Sequence, residues 1–81
     1  MITVKLFARI REDLGVGELS LPVADSVRDL RDTLCKERGS RWADALLSPQ
    51  VIIAVNQQVA ALDDQLSDGD EVAFFPPVTG G

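Results

Sequence analysis

The stretch "SVRDLRDTLCKERG" (Ser26–Gly39) has the pattern of an amphipathic helix. Its apolar residues recur at the spacing that places them on one face of a helix: Val27, Leu30 and Leu34. Ser26 is a favoured N-cap residue with Asp29 three positions later, as in a capping box, and Gly39 is a typical helix stop. The sequence therefore predicts one main helix here, and the segments on either side decide what it packs against.

Two strands are predicted before this helix. "MITVKLFARIR" (Met1–Arg11) alternates apolar and polar residues, as a half-buried strand does. Its inward set is Ile2, Val4, Leu6, Ala8 and Ile10. "ELSLPV" (Glu18–Val23) is the second strand, with Pro22 suited to a sheet edge, and its inward residues are Leu19, Leu21 and Val23. Residues 12–17 are expected to form the hairpin loop between them.

The segments after the main helix add a short helix and two strands. A second helix is expected to start at Ser40 and to bury Trp42, Ala45 and Leu46. "VIIAV" (Val51–Val55) is an unbroken apolar run, typical of a strand covered on both faces, and residues 56–58 form a turn. "SDGD" (residues 67–70) is a strong turn before the final strand "EVAFF" (Glu71–Phe75).

The order strand, strand, helix, short helix, strand, strand is that of an α+β, ubiquitin-like β-grasp fold. Such a fold has a mixed sheet with the first and last strands parallel at its centre. With 81 residues the chain has room for one domain. We assign residues 1–75 to this domain and residues 76–81 to an extended, flexible C-terminal tail that ends in Gly-Gly.

The composition excludes several function classes. A net charge of −5 disfavours nucleic acid as a partner. The chain has no histidine and one cysteine, which removes Ser–His and Cys–His catalysis and the usual zinc sites, so no metal site is expected. No apolar run approaches the length of a membrane span and no leader peptide is evident, so the expected location is cytoplasmic.

The tail "PPVTGG" (Pro76–Gly81) is the most unusual part of the sequence. Pro76 and Pro77 cannot continue a strand ladder and hold the chain extended, while Gly80 and Gly81 fit a narrow tunnel. The terminal carboxylate must be activated before it reacts, and adenylation by ATP on a partner enzyme is the usual route. A sulfur nucleophile would then give a thiocarboxylate, whereas a lysine amine would give an isopeptide bond.

A second candidate feature is an outward-facing aromatic pair. Phe7 and Phe75 lie on the outward phase of strands that should be neighbours, with Val59 close by. We interpret them as a docking surface, because the tail alone would bind poorly. The alternative is an outer face that merely tolerates stray aromatics. The flanking cations available to an acidic partner are Lys5, Arg9 and Arg11.

Three other features are interpreted as structural. Cys35 lies beside the helix stripe without an evident basic neighbour, so we expect an unreactive, partly buried thiol. Trp42 is expected in the core. An acidic cluster lacks the ligand spacing of a calcium loop and is expected to be a solvated turn: Asp63, Asp64, Asp68, Asp70 and Glu71.

The segment "DGDEVAFFPPVTGG" (Asp68–Gly81), with "VKLFA", "RW" and "AVNQ" earlier in the chain, resembles the small, sulfur-carrying subunits of molybdopterin synthase, the MoaD family. The resemblance covers essentially the whole chain. It implies that an E1-like adenylyltransferase adenylates Gly81 with ATP, and that a sulfur-relay enzyme supplies the sulfur of a thiocarboxylate. The sulfur would then pass to cyclic pyranopterin monophosphate and build the dithiolene of molybdopterin.

The resemblance also implies how the chain is used. Its tail would insert into the large catalytic subunit of a heterotetramer, so the chain is a non-catalytic sulfur donor that binds no cofactor itself. Gly81, supported by Gly80, is the reacting end. Phe7, Val59 and Phe75 fall where the family uses apolar contacts. Together with the flanking cation Arg11, the partner-binding candidates are then completed by the tail residues Pro76, Pro77, Val78 and Thr79. The alternatives are a sulfur carrier for thiamin thiazole synthesis, a ubiquitin-like protein modifier, and a plain β-grasp interaction module.

Overall fold

The computed structural model describes residues 1–77 and contains one five-stranded sheet with the order β2-β1-β5-β3-β4. The elements are β1 (Ile2–Leu6), α1 (Ala8–Leu14), β2 (Glu18–Leu21), α2 (Val27–Arg38), α3 (Ser40–Leu46), β3 (Ile52–Val55), β4 (Gln58–Val59) and β5 (Glu71–Phe75). The central strands β1 and β5 are parallel and the other pairs are antiparallel. The fold is therefore the α+β, ubiquitin-like β-grasp that the element order predicts.

The prediction of one long first strand is wrong beyond Leu6. Residues 8–14 form helix α1 instead, and it buries Ile10 and Leu14, which are spaced to share one helix face. Ala8 has a φ of 52°, a left-handed value that turns the chain sharply out of β1. Gly15 ends the helix at φ 72°, and its N–H donates to the Arg11 carbonyl at 2.8 Å. The first half of the expected hairpin loop, residues 12–14, is thus helix, and residues 15–17 connect α1 to β2.

Helix α2 begins and ends where its sequence predicts. The Asp29 N–H donates to the Ser26 hydroxyl oxygen at 3.1 Å, which satisfies one free donor of the first turn. The Gly39 N–H donates to the Cys35 carbonyl at 3.0 Å. The apolar stripe of α2 is fully buried against the sheet, and its residues are Val27, Leu30 and Leu34.

The short second helix is also confirmed, since α3 buries Trp42 and Leu46. Two smaller details differ from the prediction. Val23 is 48% exposed rather than inward, because β2 ends at Leu21 and the alternation ends with it. Strand β4 was not predicted, and Asn56 and Gln57, with φ of 50° and 70°, make the tight turn that pairs it with β3.

The core lies between the helices and one face of the sheet. Val72 and Phe74 of β5 are completely buried on that face. Ala73 is also buried, although it points to the opposite face. Side chains on the outer face must therefore cover Ala73. Within Met1–Pro77 no helix combines the length and apolar character needed to cross a bilayer.

Candidate functional site

The outer face of the sheet carries a shallow depression of about 300 Å³. The pairing of the strands places the residues that line the depression in two neighbouring rows across the sheet. One row runs across the sheet through Lys5, Ala73, Ala54 and Val59. The next pairs Phe75 with Ile52, and Phe7 stacks on Phe75. The depression thus joins residues from four strands and the start of α1 into one surface.

The two phenylalanines form one border of this depression. Their rings stack with centroids 4.6 Å apart and planes 5° from parallel. Phe7 is 38% exposed, while Phe75, the last residue of β5, is half-buried. The Phe7 N–H donates to the Phe74 carbonyl at 3.2 Å, which fixes the start of α1 to the end of β5. The predicted outward placement of both rings is confirmed.

Ala54 and Ala73 form the floor of the depression, and Val59 forms the border opposite the phenylalanines. Ala54 and Ala73 are buried because neighbouring side chains stand above them. Val59 projects from β4 with 82% of its surface exposed. An apolar side chain that remains so exposed beside small alanines gives the surface a raised rim and a low centre. This shape suits a protruding apolar group of a protein partner.

An ion pair closes the polar end of the depression. The Lys5 ammonium lies 3.1 Å from a Glu71 carboxylate oxygen. The hydrogen bond to Glu71, together with its negative charge, raises the pKa of Lys5 above its ordinary value. The Glu71 N–H donates to the Asn56 side-chain oxygen at 3.0 Å, which anchors this end of β5. Sequence reasoning recognised Lys5 as a flanking cation but missed its partner Glu71.

The remaining partner-binding candidates lie beside this surface or beyond it. Pro76 is half-buried and Pro77 is exposed, and both follow the end of β5 at Phe75 as predicted. The predicted tail residues Val78, Thr79, Gly80 and Gly81 lie outside the described residues. The chain therefore leaves the sheet directly beside the stacked phenylalanines.

Arg11 is not part of the depression. It lies on α1 rather than on β1, and its side chain covers Gly17, where an added Cβ would come within 3.1 Å of the Arg11 Nε. Its proposed partner contact would therefore be made from the helix beside the depression. Arg9 also lies on α1 and is exposed. Of the three predicted flanking cations, only Lys5 lines the depression.

Comparison with known proteins places the whole described domain in one family. The model of the ThiS family matches residues 4–81. The chain belongs to the ThiS family. The molybdopterin synthase sulfur carrier subunit of Escherichia coli (strain K12) is 46% identical over 100% of both chains. The protein of the same name from Haemophilus influenzae is 39% identical, also over 100% of both chains. These relatives confirm the resemblance drawn from the sequence.

Solved structures of ThiS-like proteins agree with the fold. A putative molybdopterin converting factor subunit 1 from Pyrococcus furiosus has a TM-score of 0.72 and 36% identity, and the match covers 95% of this chain and 97% of that one. Subunits 1 and 2 of a molybdopterin-converting factor from Helicobacter pylori were solved as a complex. The matching chain has a TM-score of 0.72 and 26% identity, with 99% and 97% covered. The small archaeal modifier protein 1 from Methanosarcina acetivorans has a TM-score of 0.77 and 28% identity, with 99% and 95% covered.

Cys35 and Trp42, the two residues interpreted as structural, lie against the core and within it. Cys35 is half-buried against the core, and burial raises the pKa of its thiol, which keeps it a weak nucleophile. Trp42 is buried, with the Arg38 guanidinium 5.1 Å from its ring centroid. The predicted partial burial of Cys35 and the predicted core position of Trp42 are confirmed, and the low reactivity of the thiol stays a prediction.

The carboxylates of the acidic cluster serve the loops around β5. Asp70 accepts from the Ser67 N–H at 2.8 Å and from the Asn56 amide at 3.0 Å. Asp64 accepts from the Ala61 N–H at 3.0 Å, and Asp63 pairs with Arg28. In residues 1–77 no group of acidic, cysteine or histidine side chains is arranged to hold a metal ion. Asp64 and Asp70 therefore stabilise turns, while Asp63 forms an ion pair with α2.

Proposed function

We propose that this chain is the sulfur-carrier subunit of a molybdopterin synthase. The observation that carries the proposal is its identity of 46% and 39%, over entire chains, to two proteins of that name. The geometry supports it independently. An apolar depression lies where the chain leaves β5, so one partner surface can hold the domain and receive the residues that follow.

The reacting group in this proposal is the Gly81 carboxylate. A carboxylate is a poor electrophile, so an E1-like adenylyltransferase first joins it to AMP and releases pyrophosphate from ATP. A relay enzyme then supplies sulfur at the oxidation level of sulfide. The sulfur attacks the acyl carbon and AMP leaves, which converts the carboxylate to a thiocarboxylate. ATP is bound by the activating enzyme, and the carrier itself binds no cofactor.

The charged carrier next delivers its sulfur to cyclic pyranopterin monophosphate on the large catalytic subunit. Each transfer breaks the carbon–sulfur bond of the thiocarboxylate, and water restores the carboxylate. A dithiolene contains two sulfur atoms, so two charged carriers are consumed for each molybdopterin. The carrier contributes a reactive terminus and no catalytic side chain. We expect it to act in the cytoplasm, within a heterotetramer.

Binding energy favours a shared role for the tail and the sheet face. Ordering the six residues Pro76–Gly81 costs on the order of 6–12 kcal/mol, less the part already lost at the prolines. Burying an exposed phenylalanine returns about 1.5–3 kcal/mol. Because Phe7 is 38% exposed and Phe75 is half-buried, the stack returns less than this for each ring, and together with the exposed Val59 it offsets part of the cost of ordering the tail. The Helicobacter pylori complex of subunits 1 and 2 supports a large-subunit partner.

The deciding experiment is an intact-mass measurement after sulfur loading. The purified chain is incubated with an E1-like activating enzyme, ATP and a sulfide donor. We expect the mass to increase by the difference between sulfur and oxygen, with the change located at Gly81 by fragmentation. Omitting ATP is the matched control and should give no change. An unaltered mass with an activating enzyme that loads a known carrier in parallel would rule out the sulfur-carrier role.

A protein-modifier function is the second candidate, because a small archaeal modifier protein shares the fold at 28% identity. The two functions differ in the nucleophile that opens the acyl adenylate. A modifier forms isopeptide bonds with lysine amines, so conjugates with a Gly81 remnant would appear in cell extracts. A carrier for thiamin thiazole synthesis would instead restore growth of a strain that lacks that carrier. We expect complementation of a molybdopterin-deficient strain only.

A further inference from the structure

A groove of about 550 Å³ lies on the other side of the molecule, between the end of β2 and helix α2. Its accessible apolar part is formed by Pro22 and Val23 with the half-buried Ala24, and Leu21 and Leu30 lie buried beneath them. Val23 is 48% exposed and lies next to the exposed Pro22, so the two present adjacent apolar surface at the groove. The groove is separate from the docking depression, since none of its lining residues line that depression.

Strand β2 gives this groove an open backbone edge. It is the end strand of the sheet, and in the described part of the chain it pairs with β1 alone. The Leu6 N–H donates to the Gly17 carbonyl at 2.9 Å, so in this antiparallel register Leu19 and Leu21 also face β1. The peptide groups of Glu18 and Ser20 therefore face away from the sheet. They are free to pair with another extended chain.

The charge around the groove is strongly acidic. Four carboxylates line it: Asp25, Asp29, Asp32 and Glu37. Lys36 is the one cation among the lining residues, all of which lie in the described part of the chain. A second copy of this protein would bring the same acidic rim against itself, which disfavours self-association. The negative electrostatic field of these carboxylates favours a partner segment that has an apolar centre and a positive charge at each end.

We propose that this groove binds an extended, cationic segment of a partner protein by strand addition to β2. The segment's backbone pairs with Glu18 and Ser20, while its alternate apolar side chains contact Pro22 and Val23. Flanking lysines or arginines pair with the carboxylates of α2. This interaction does not depend on sulfur transfer. Because the two surfaces are separate, a partner in this groove and the large subunit on the sheet face can bind together.

The test uses the full chain and a synthetic peptide of alternating valine and threonine with two lysines at each end. We expect amide chemical shifts in 1H–15N NMR spectra to move in residues 18–25 and along α2, and not around Phe75. Strand addition should also protect the Ser20 amide from hydrogen exchange. The affinity should fall as salt is raised. A peptide N-methylated at alternate residues cannot pair with β2 and is the matched negative control.

Charge variants separate a site from a general attraction to an acidic protein. The double variant Asp29→Asn/Asp32→Asn should weaken peptide binding by roughly three- to tenfold at low salt, as expected for exposed ion pairs. The matched control Asp13→Asn/Asp44→Asn removes the same charge from another face and should leave binding unchanged. Val23→Ser should also weaken binding, and thermal unfolding checks that each variant is folded.

Several outcomes would overturn the proposal. The first is an absence of binding at peptide concentrations up to millimolar. The second is a set of amide chemical-shift changes centred on the outer face of the sheet. The third is an equal loss of peptide affinity in the two double variants. A dimer of the chain in sedimentation experiments, with β2 at its interface, would show that a second copy occupies the groove instead. Sulfur loading is measured separately, so failure here leaves the proposed function untouched.

Discussion

Phe7 and Phe75 lie face to face, with ring centroids 4.6 Å apart, although one residue precedes the first helix and the other ends the last strand. The parallel pairing of β1 with β5 brings them together. The distance is within the range of favourable aromatic pairs. The stack also borders the point where the chain leaves the sheet, so it couples docking of the domain to placement of the residues that follow.

Truncating this stack should weaken docking more than it weakens the fold. We expect Phe75→Ala to raise the Kd for the large subunit by about 30-fold, equivalent to about 2 kcal/mol, as for an aromatic hot spot. Phe7→Ala should also weaken binding, and the double variant should lose less than the sum, because the rings contact each other. Isothermal titration calorimetry measures each affinity.

Leu47→Ala is the matched control for these variants. Leu47 is an exposed hydrophobic residue that follows α3 and does not line the depression. Its removal should leave the Kd unchanged, and circular dichroism should show every variant folded. An unchanged Kd for Phe75→Ala, or an equal loss for Leu47→Ala, would place the docking surface elsewhere.

The Lys5–Glu71 pair gives the protein an alkaline pH dependence. Because the pKa of Lys5 is raised in the folded state, the pair's contribution to stability is full below the ordinary value near 10.5. It is lost as the pH rises through the folded-state pKa. Glu71→Gln should lower the pKa of Lys5, which a 13C NMR titration of the lysine side chain measures.

Glu18→Gln is a graded control for the same titration. Glu18 faces Lys5 across β1 and β2, but it raises the pKa of Lys5 less than Glu71 does. Its removal should therefore change the pKa of Lys5 by a smaller amount. If Glu18→Gln has the larger effect, the 3.1 Å pairing of Lys5 with Glu71 does not persist in solution.

Asp70 should show the opposite dependence, on the acid side. Its pKa is lowered first by the hydrogen bond from the Ser67 N–H and then by the Asn56 amide. The stabilisation is present above the ordinary value near 3.8 and is lost as the pH falls through the folded-state pKa. Asn56→Gly should raise the pKa of Asp70 only part of the way, because the Ser67 bond remains.

Gln57→Gly is the matched control for Asn56→Gly. Both residues have a positive φ in the same turn, so glycine fits either position without backbone strain. Of these two turn residues, Asn56 alone donates a hydrogen bond to the Asp70 carboxylate. A 13C titration in which both variants shift the pKa of Asp70 equally would contradict the role of this hydrogen bond.

The cap of α2 should make a measurable contribution to stability. Ser26→Ala removes the acceptor of the Asp29 N–H, and we expect the free energy of unfolding to fall by about 1 kcal/mol. Ser26→Asp keeps an acceptor at this position and should retain most of that stability. Urea unfolding measures both variants. Equal losses for alanine and aspartate would show that the hydroxyl cap is not responsible.

Helix α2 and strand β5 could be predicted from sequence because their signals are local. A cap, an apolar stripe and a glycine stop define α2 within Ser26–Gly39. Strand β5 follows a turn at Gly69 and alternates between the core and the outer face. Helices α2 and α3 connect β2 to β3 across the sheet, and β5 then lies between β1 and β3, parallel to β1.

Helix α1 could not be predicted, because alternation and helical spacing both fit its residues. Ile10 continues the inward phase of a strand from Ile2, but it also lies one helical turn before Leu14. The decision depends on Ala8, whose left-handed backbone no local pattern predicts. Strand β4 is only two residues long, which leaves no alternation to detect.

The candidate site was predictable only in part. The alternation along the strands predicted that Phe7 and Phe75 point to the outer face of the sheet. Their stacking and the Lys5–Glu71 pair, however, depend on the register between β1 and β5. The edge groove was not predicted, since Val23 was assigned to the core. The chemistry proposed for Gly81 depends on family resemblance, because a Gly-Gly terminus alone is compatible with sulfur or lysine as the nucleophile.

Deletion of Gly81 should separate binding from chemistry. The docking depression lies within residues 5–75, so the shortened chain should keep an affinity for the large subunit close to that of the intact chain. It should acquire no thiocarboxylate and support no product, because the new terminus stops short of the reacting position. Calorimetry and intact mass measure the two properties, and Phe75→Ala is the reciprocal control, since it should load sulfur yet bind weakly. Loss of binding on deletion of Gly81 would show that the tail, rather than the sheet face, supplies most of the affinity.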